Sequence, residues 1–367
     1  MSSIAGDSGI RESTPASRRR TGAGRGSRPT MRDVAALAGV SLKTVSRVVN
    51  LELNVNAERR RRVEEAVAAL GFRPNVVARS LASGGHPRVV GLIITDLLNP
   101  VYAAYAKAVE TVAKRNRSVV VLVSSGEDSA IEKELVTDLL RLPVDGLIIV
   151  SVCNDHRYLE QYQRLGSAIV FLATPGGNID ADAVILDNEG GSRVAVEHLI
   201  GCGHRRIGFM SGPERLYSAR SRLDGYREAL VGAGIPWDPA LVKQGLSSTE
   251  QAQVVARHLI NARDGPTAVF AANNRNCIGL LRAIRATQKN VAVIGFDDFE
   301  LADMLPVPVT VVGYDAGELA RAAAELLFSR LAGDSRPCQR IVLPPRLIVR
   351  GSGEISPDTS GGEATPD

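Results

Sequence analysis

Apolar positions in this chain change their spacing as the sequence is followed. Over residues 30–70 they recur at three- and four-residue intervals: Val34, Leu37 and Ala38, then Val45, Val48 and Val49, then a run inside NAERRRRVEEAVAALG. Side chains so spaced share one face of an α-helix, which predicts three short helices around one small core. Thr30, with Asp33 three residues on, caps the first and Gly39 stops it; Ser41 caps the second, and Asn56 and Gly71 bracket the third. NVVARSLASGG, residues 75–85, is again helix-like. Pro74 precedes it, Val77 with Leu81 and Ala78 with Ala82 repeat at four-residue spacing, and Gly84 and Gly85 close it. A helix shorter than roughly 12 residues is marginal alone in water, so this one needs a partner surface.

After Gly85 the rhythm becomes strand, helix, strand. RVVGLIITD, SVVVLVSSG, VDGLIIVS, SAIVFLA, RRIGFMSG, TAVFAANN and VAVIGFDD are short apolar runs, separated by stretches of helical spacing such as 101–115 and 193–200. Such runs argue for an α/β fold with parallel sheets covered on both faces, and their total length for two lobes rather than one. Ligands in these folds sit beyond the carboxyl ends of the strands, here Asp96, Ser124, Ser125, Asn273 and Asp297.

Composition narrows the class. The chain is 44% hydrophobic over 367 residues, yet no run approaches the ~18 apolar residues of a membrane span. Its N-terminus lacks the apolar segment of a secretory signal, and we expect a cytoplasmic protein with no membrane partner. The four cysteines, Cys153, Cys202, Cys277 and Cys338, are scattered and read as buried thiols. The net charge of +4 hides a split: residues 1–85 hold 15 Lys and Arg against 7 Asp and Glu, and the remainder 29 against 33. A basic front end suits a polyanion such as DNA. Residues 1–29 and 351–367 have the polar composition of disordered tails.

Residues 31–50 fit a helix-turn-helix, with Ala35, Gly39, Val40 and Val45 small or apolar where the helices cross. That arrangement leaves Leu42, Lys43, Ser46 and Arg47 outside. In the major groove Lys43 would donate to guanine, Arg47 would grip guanine or phosphate, and Leu42 would meet a thymine methyl. Paired helices with a glycine turn also occur in ordinary helical cores; the basic charge favours DNA.

DVAALAGVSLKTVSRVVN followed by VEEAVAALGFRPNVVARSLASG resembles the DNA-binding head of the LacI/GalR family of transcriptional regulators. HLIGCGHRRIGFMSG, SRLDGYREAL, PTAVFAANN, VAVIGFDD and LPPRLIVRGS resemble that family's effector core in order and spacing. The resemblance implies a helix-turn-helix domain over 30–74, a hinge helix and linker over 75–85, and a two-lobed, periplasmic-binding-protein-like core for effector binding and dimerisation over 86–350. DNA contacts in the head would come from Thr30, Leu42, Lys43, Thr44, Ser46, Arg47 and Asn50. The hinge would become helical when a dimer sits on a pseudo-palindromic double-stranded operator, two copies packing in the minor groove through Val77 and Ala78. Leu81 would wedge into the central base step, Asn75 meet phosphate, and Arg79 the groove or backbone.

For the effector, the resemblance puts Arg220, Asn273 and Asp297 in contact with ligand, a set suited to vicinal hydroxyls and hence to a sugar. Asp96, Asn99, Tyr102, Ser125 and Tyr314 are weaker candidates, each also explicable as a loop cap or interlobe contact. Three departures leave the ligand class open to a nucleobase, an amino sugar or none. Ala173 and Thr174 stand where the family often has Asp-Arg, the interval from Asn273 to Asp297 is shorter than usual, and Gly313 replaces a longer polar residue. The implied protein is a homodimeric repressor, with a tetramer left open, needing no cofactor or metal. No nucleophile elbow, phosphate loop or dinucleotide loop argues for an enzyme. Cys153 with His156 and Cys202 with His204 are isolated pairs without further ligands. The alternative, a sugar- or nucleoside-binding protein without transcriptional control, would have no use for residues 30–84.

Overall fold

The computed structural model describes residues 30–49, 55–70, 88–142 and 144–357, and the chain divides into two compact units, Met1–His86 and Pro87–Asp367. In the first, α1 (Met31–Ala38), α2 (Leu42–Val49) and α3 (Ala57–Leu70) enclose Val34, Ala38, Val45, Val48, Val63 and Ala66. Leu37, expected to face inward, is 55% exposed, because the small core closes over Val34 and Ala38 one helical turn apart. Gly39 ends α1 at φ +62°, and a Cβ there would lie 2.5 Å from Arg62 Nη2. That guanidinium, reaching from α3, donates to the carbonyls of Ala38 and Gly39 at 2.5 and 3.2 Å. The glycine is therefore required twice, by backbone conformation and by space.

The second unit begins with β1 (Val89–Ile94), α4 (Pro100–Arg115), β2 (Val119–Ser124), α5 (Ser129–Arg141), β3 (Gly146–Ile149), α6 (Glu160–Arg164), β4 (Ala168–Leu172) and β5 (Asp182–Leu186). The chain then crosses to a second lobe with α7 (Asn188–Gly201), β6 (Ile207–Met210), α8 (Tyr217–Gly232), β7 (Val242–Lys243), α9 (Thr249–Asn261), β8 (Ala268–Ala271), α10 (Asn274–Thr287), β9 (Ala292–Phe296) and β10 (Thr310–Gly313). It returns through α11 (Ala316–Leu331) to β11 (Arg340–Leu343), then crosses again at Pro344 and Pro345 to β12 (Arg346–Ile348). The sheets run β11-β5-β4-β3-β1-β2 and β12-β10-β9-β8-β6-β7. Every described pairing is parallel except β10 with β12. In lobe 1 one face of the sheet is covered by α4 and α11 and the other by α5; in lobe 2 α7 and α8 cover one face and α9 and α10 the other. Both faces are buried, as the continuous apolar runs require.

Three expectations need correction. Residues 351–357 are not a disordered tail: Ser352 donates its hydroxyl to the Val293 carbonyl at 2.6 Å and accepts from Thr310 N at 2.9 Å. Nearby, Glu354 pairs with His198 and the Ile355 carbonyl with His204. These polar anchors tie down a segment whose composition alone reads as loose, so the packed core extends past 350. The cysteines are not uniformly buried either, since Cys277 is inside but Cys338 is exposed. Burial pushes the Cys277 thiol up to about 12, away from reactivity. Finally β5, β7, β10, β11 and β12 escape the apolar-run reading. They are short or have charged ends; β5 opens on the carboxylate of Asp182, tolerated inside because Arg330 Nε donates to it at 2.7 Å.

Candidate functional site

The polar face of α2 is turned to solvent. Leu42, Lys43 and Arg47 are exposed and Thr44 and Ser46 half-buried, while Val45 and Val48 anchor the opposite side. Ser41 starts the helix by accepting from Thr44 N at 3.2 Å, which orients the first turn and its outward side chains. Thr30 forms a capping box: its hydroxyl and backbone N–H both donate to Asp33 Oδ2 at 2.7 Å. Its hydroxyl proton being spent, the geometry supports a cap at Thr30 rather than a phosphate donor. Asn50, Asn75, Val77, Ala78, Arg79 and Leu81 lie outside the described residues.

Between the lobes runs a cleft of about 1000 Å³ including its open mouth, at the strand ends where such folds bind ligands. Its centre is Arg222, on the buried face of α8. The guanidinium donates to Asn188 Oδ1 at 2.8 Å, the Ala272 carbonyl at 2.7 Å and both oxygens of Asp297 at 3.2 and 3.4 Å, and lies 3.6 Å over the Phe296 ring. A buried arginine with four of its five N–H donors placed is held in one geometry. Tyr102, Tyr105 and Tyr314 gather against lobe 1; burial pushes the Tyr102 hydroxyl up to about 12 and raises the other two as well. All three thus stay neutral hydroxyls. Glu127, Ala173 and Asp297 take left-handed backbone at φ 62°, 60° and 68° and all line the cleft. Strain of this sort, ~1–2 kcal/mol per residue, concentrates where a site dictates backbone position.

Polar links cross the mouth. Asp96 pairs with Arg275, Asn274 Nδ2 donates to Asn99 Oδ1 at 3.1 Å, Arg220 Nη2 donates to Asn154 Oδ1 at 3.3 Å, and Arg215 donates to the Glu127 carbonyl at 2.9 Å. Burial raises the Glu127 carboxyl, with Arg215 opposing the shift.

Residues 30–75 match the bacterial regulatory proteins of the lacI family, and residues 196–353 a periplasmic binding protein-like domain. The HTH-type transcriptional regulator CelR of Thermobifida fusca is 34% identical over 337 residues, 89% of this chain and 98% of that protein. The chain belongs to the LacI family. The ribose operon repressor of Escherichia coli (strain K12) is 32% identical to this LacI-family regulator over 334 residues, covering 88% and 99% of the two. Among solved structures, a CelR–cellobiose complex superposes with a TM-score of 0.66 at 32% identity over 89% of this chain and all of that one. The lac repressor dimer bound to operator and the anti-inducer ONPF superposes at 0.73 and 28%, covering 89% and 99%. The protein is accordingly a DNA-binding transcriptional regulator with an effector core, and the relatives it matches are regulators rather than enzymes. Among its described residues no helix is long and apolar enough to cross a membrane.

Within this regulator the cleft brings together Asn99, Tyr102, Asn273, Asp297 and Tyr314. It does not include Arg220, Asp96 or Ser125. Arg220 Nη1 is tied to the carbonyls of Glu214 and Arg215 at 3.1 and 2.6 Å; Asp96 takes Leu98 N at 2.9 Å in a turn and faces Arg275; Ser125 is buried with its hydroxyl toward the Ile94 carbonyl. The buried arginine of the cleft, paired with Asp297, is Arg222, and Arg275 also lines it. The signal was in the helix period: Ala219, Leu223, Tyr226 and Leu230 form the buried stripe of α8, and residue 222 falls on it whereas residue 220 does not. Thr95, Tyr105, Glu127, Ser151 and Asn188 also line the cleft; they stand on separate segments, and no local pattern joins them.

Proposed function

We propose that the protein is a cytoplasmic homodimeric repressor that reads a pseudo-palindromic operator with α2 and releases or retains it according to a neutral, polyhydroxylated effector held between the lobes. The observation that carries the effector reading is charge compensation. Arg222 faces Asp297, Arg215 faces Glu127 and Arg275 faces Asp96, so an ionic ligand would meet no unmatched partner, whereas hydroxyls find Asp297 and the Asn273 amide. The CelR–cellobiose complex and the lac repressor dimer on operator support the same division of labour.

In this reading Lys43 and Arg47 meet base edges or phosphate, Leu42, Thr44 and Ser46 border them, and the segment carrying Asn75, Val77, Ala78, Arg79 and Leu81 orders in the minor groove with its twin. Arg222 and Asp297 orient the effector, with Asn99, Tyr102, Asn273 and Tyr314 around it. A thermal-shift screen of the purified chain against sugars, nucleosides and related metabolites tests the cleft, because a ligand that favours the native state raises its melting temperature. A companion test is Leu81→Ala, expected to weaken affinity for the selected duplex on the order of tenfold or more by removing the wedge. Silence across the screen overturns the effector reading, and full affinity in Leu81→Ala overturns the wedge.

A further inference from the structure

Resting on that reading of the cleft, the hydrogen-bond inventory of its lobe 1 wall says what chemistry the ligand turns toward it. Asn99 Oδ1 already accepts from Val101 N and Asn274 Nδ2 at 3.2 and 3.1 Å, leaving its own amide Nδ2 to donate. The Tyr102 oxygen accepts from Thr95 Oγ1, so the Tyr102 proton is directed elsewhere. Thr174 Oγ1 accepts from Ser151 N at 3.2 Å, and its proton too is uncommitted. These are spare donors.

The neighbouring oxygens are largely spent. Ser151 Oγ gives its proton to Glu132 at 2.6 Å, accepts from Cys153 N at 3.1 Å and lies 2.8 Å from His156 Nε2. Glu132, fully buried, divides its carboxylate among Ser151, Val152 N at 2.6 Å and Tyr158 at 3.1 Å. Glu127 faces Arg215 at 3.5 Å and, like Asp297, keeps acceptor capacity. A ligand hydroxyl accepting from Asn99 or Thr174 out of reach of that carboxylate would still have its own proton to place. A carbonyl oxygen accepts and brings no proton, and leaving a buried donor or acceptor unmatched is the costly outcome. On the opposite side each Asp297 oxygen takes one bond from Arg222 and keeps a lone pair for a hydroxyl.

We propose that the effector is an acylamino sugar, neutral overall, with its acyl carbonyl toward Tyr102 and Thr174, a second ligand oxygen toward the Asn99 amide and adjacent hydroxyls toward Asp297. Titration calorimetry of the full chain with matched pairs tests it: N-acetylglucosamine against glucose, N-acetylgalactosamine against galactose, and N-acetylmannosamine against mannose. At least one acylated member is expected to bind on the order of tenfold more tightly than its parent. In Thr174→Val the ratio within that pair falls toward one; Tyr102→Phe serves if Thr174→Val does not fold. Equal or tighter binding of the parent sugars, or a ratio untouched in the variant, overturns the assignment while the cleft remains an effector site. Binding of none of the six also overturns it, and the effector reading falls with it only if the wider thermal-shift screen is silent as well.

Discussion

The head and the core present their chemistry in opposite ways. The head puts it outward on one eight-residue helix, α2, where water and salt screen every charge and the phosphate part of DNA binding is a sum of contacts. The core gathers it inward from both lobes and a crossover, with the Arg222 and Asp297 side chains only 7% and 8% exposed. Charge there has to be compensated before any ligand arrives. It follows that replacing the exposed Lys43 of α2 acts on its own DNA contact, whereas a substitution in the cleft strands a partner.

The largest expected effect breaks the core and spares the head. Arg222→Met leaves Asp297 buried and unpaired, which costs about 3–5 kcal/mol when one half of a buried pair is lost. Melting of the core falls accordingly, and the ligand-induced rise in melting temperature disappears, while selection of the duplex by the head persists. Calorimetry with and without ligand checks this, and a ligand shift equal to wild type would contradict it. The reciprocal change, Lys43→Ala, is expected to cost about 1–3 kcal/mol in operator affinity and relax preference at one base pair, with the ligand-induced thermal shift retained; anisotropy titrations over single-base duplex variants read it.

Gly39→Ala sharpens the comparison within the head. A left-handed alanine costs about 1–2 kcal/mol, and Arg62 Nη2, 2.5 Å from the added Cβ, must move. Hydrogen exchange should accelerate in α1–α3 and stay as it was in the core.

The smallest effect is on pH dependence. Burial holds the His156 and His204 imidazoles below the ordinary 6.5. Between the folded and unfolded values the unfolded chain binds more protons, so stability is fully present above about pH 7 and declines as pH falls through 6.5 toward the folded values. The raised Glu127 carboxyl acts in the opposite sense at lower pH. The three helices of the head carry no histidine, and their hydrogen exchange should lack this component. Melting curves of wild type and His204→Gln from pH 7.5 to 5.5 compare the slopes, on the order of one proton per group; identical slopes would remove His204 from the account.

The same contrast explains what could be read without coordinates. Caps at Thr30, Ser41 and Asn56 and the inward Val45 and Val48 are local features of a few residues, and so the head was legible almost residue by residue. Alternating strands and helices likewise announced two covered sheets. The cleft was legible where motif and pocket coincide, at Asn273 and Asp297, and at Asn99, Tyr102 and Tyr314 among the weaker candidates. Arg222 lost its place to Arg220 because a motif match fixes a segment and not a helix face. Ser125 and Asp96 end strands that do point at the cleft, but their side chains turn into backbone and interlobe bonds. Thr95, Ser151 and Asn188 are joined only by topology.

One measurement bears most directly on the account: affinity for a duplex selected by the protein itself, determined by anisotropy with and without a saturating effector, in wild type and Arg222→Met. The predicted result is a roughly 5- to 150-fold ligand-dependent change in wild type, the range of an ordinary coupling free energy, and none in the variant. A wild-type affinity indifferent to bound effector, or an equal change in Arg222→Met, would contradict it.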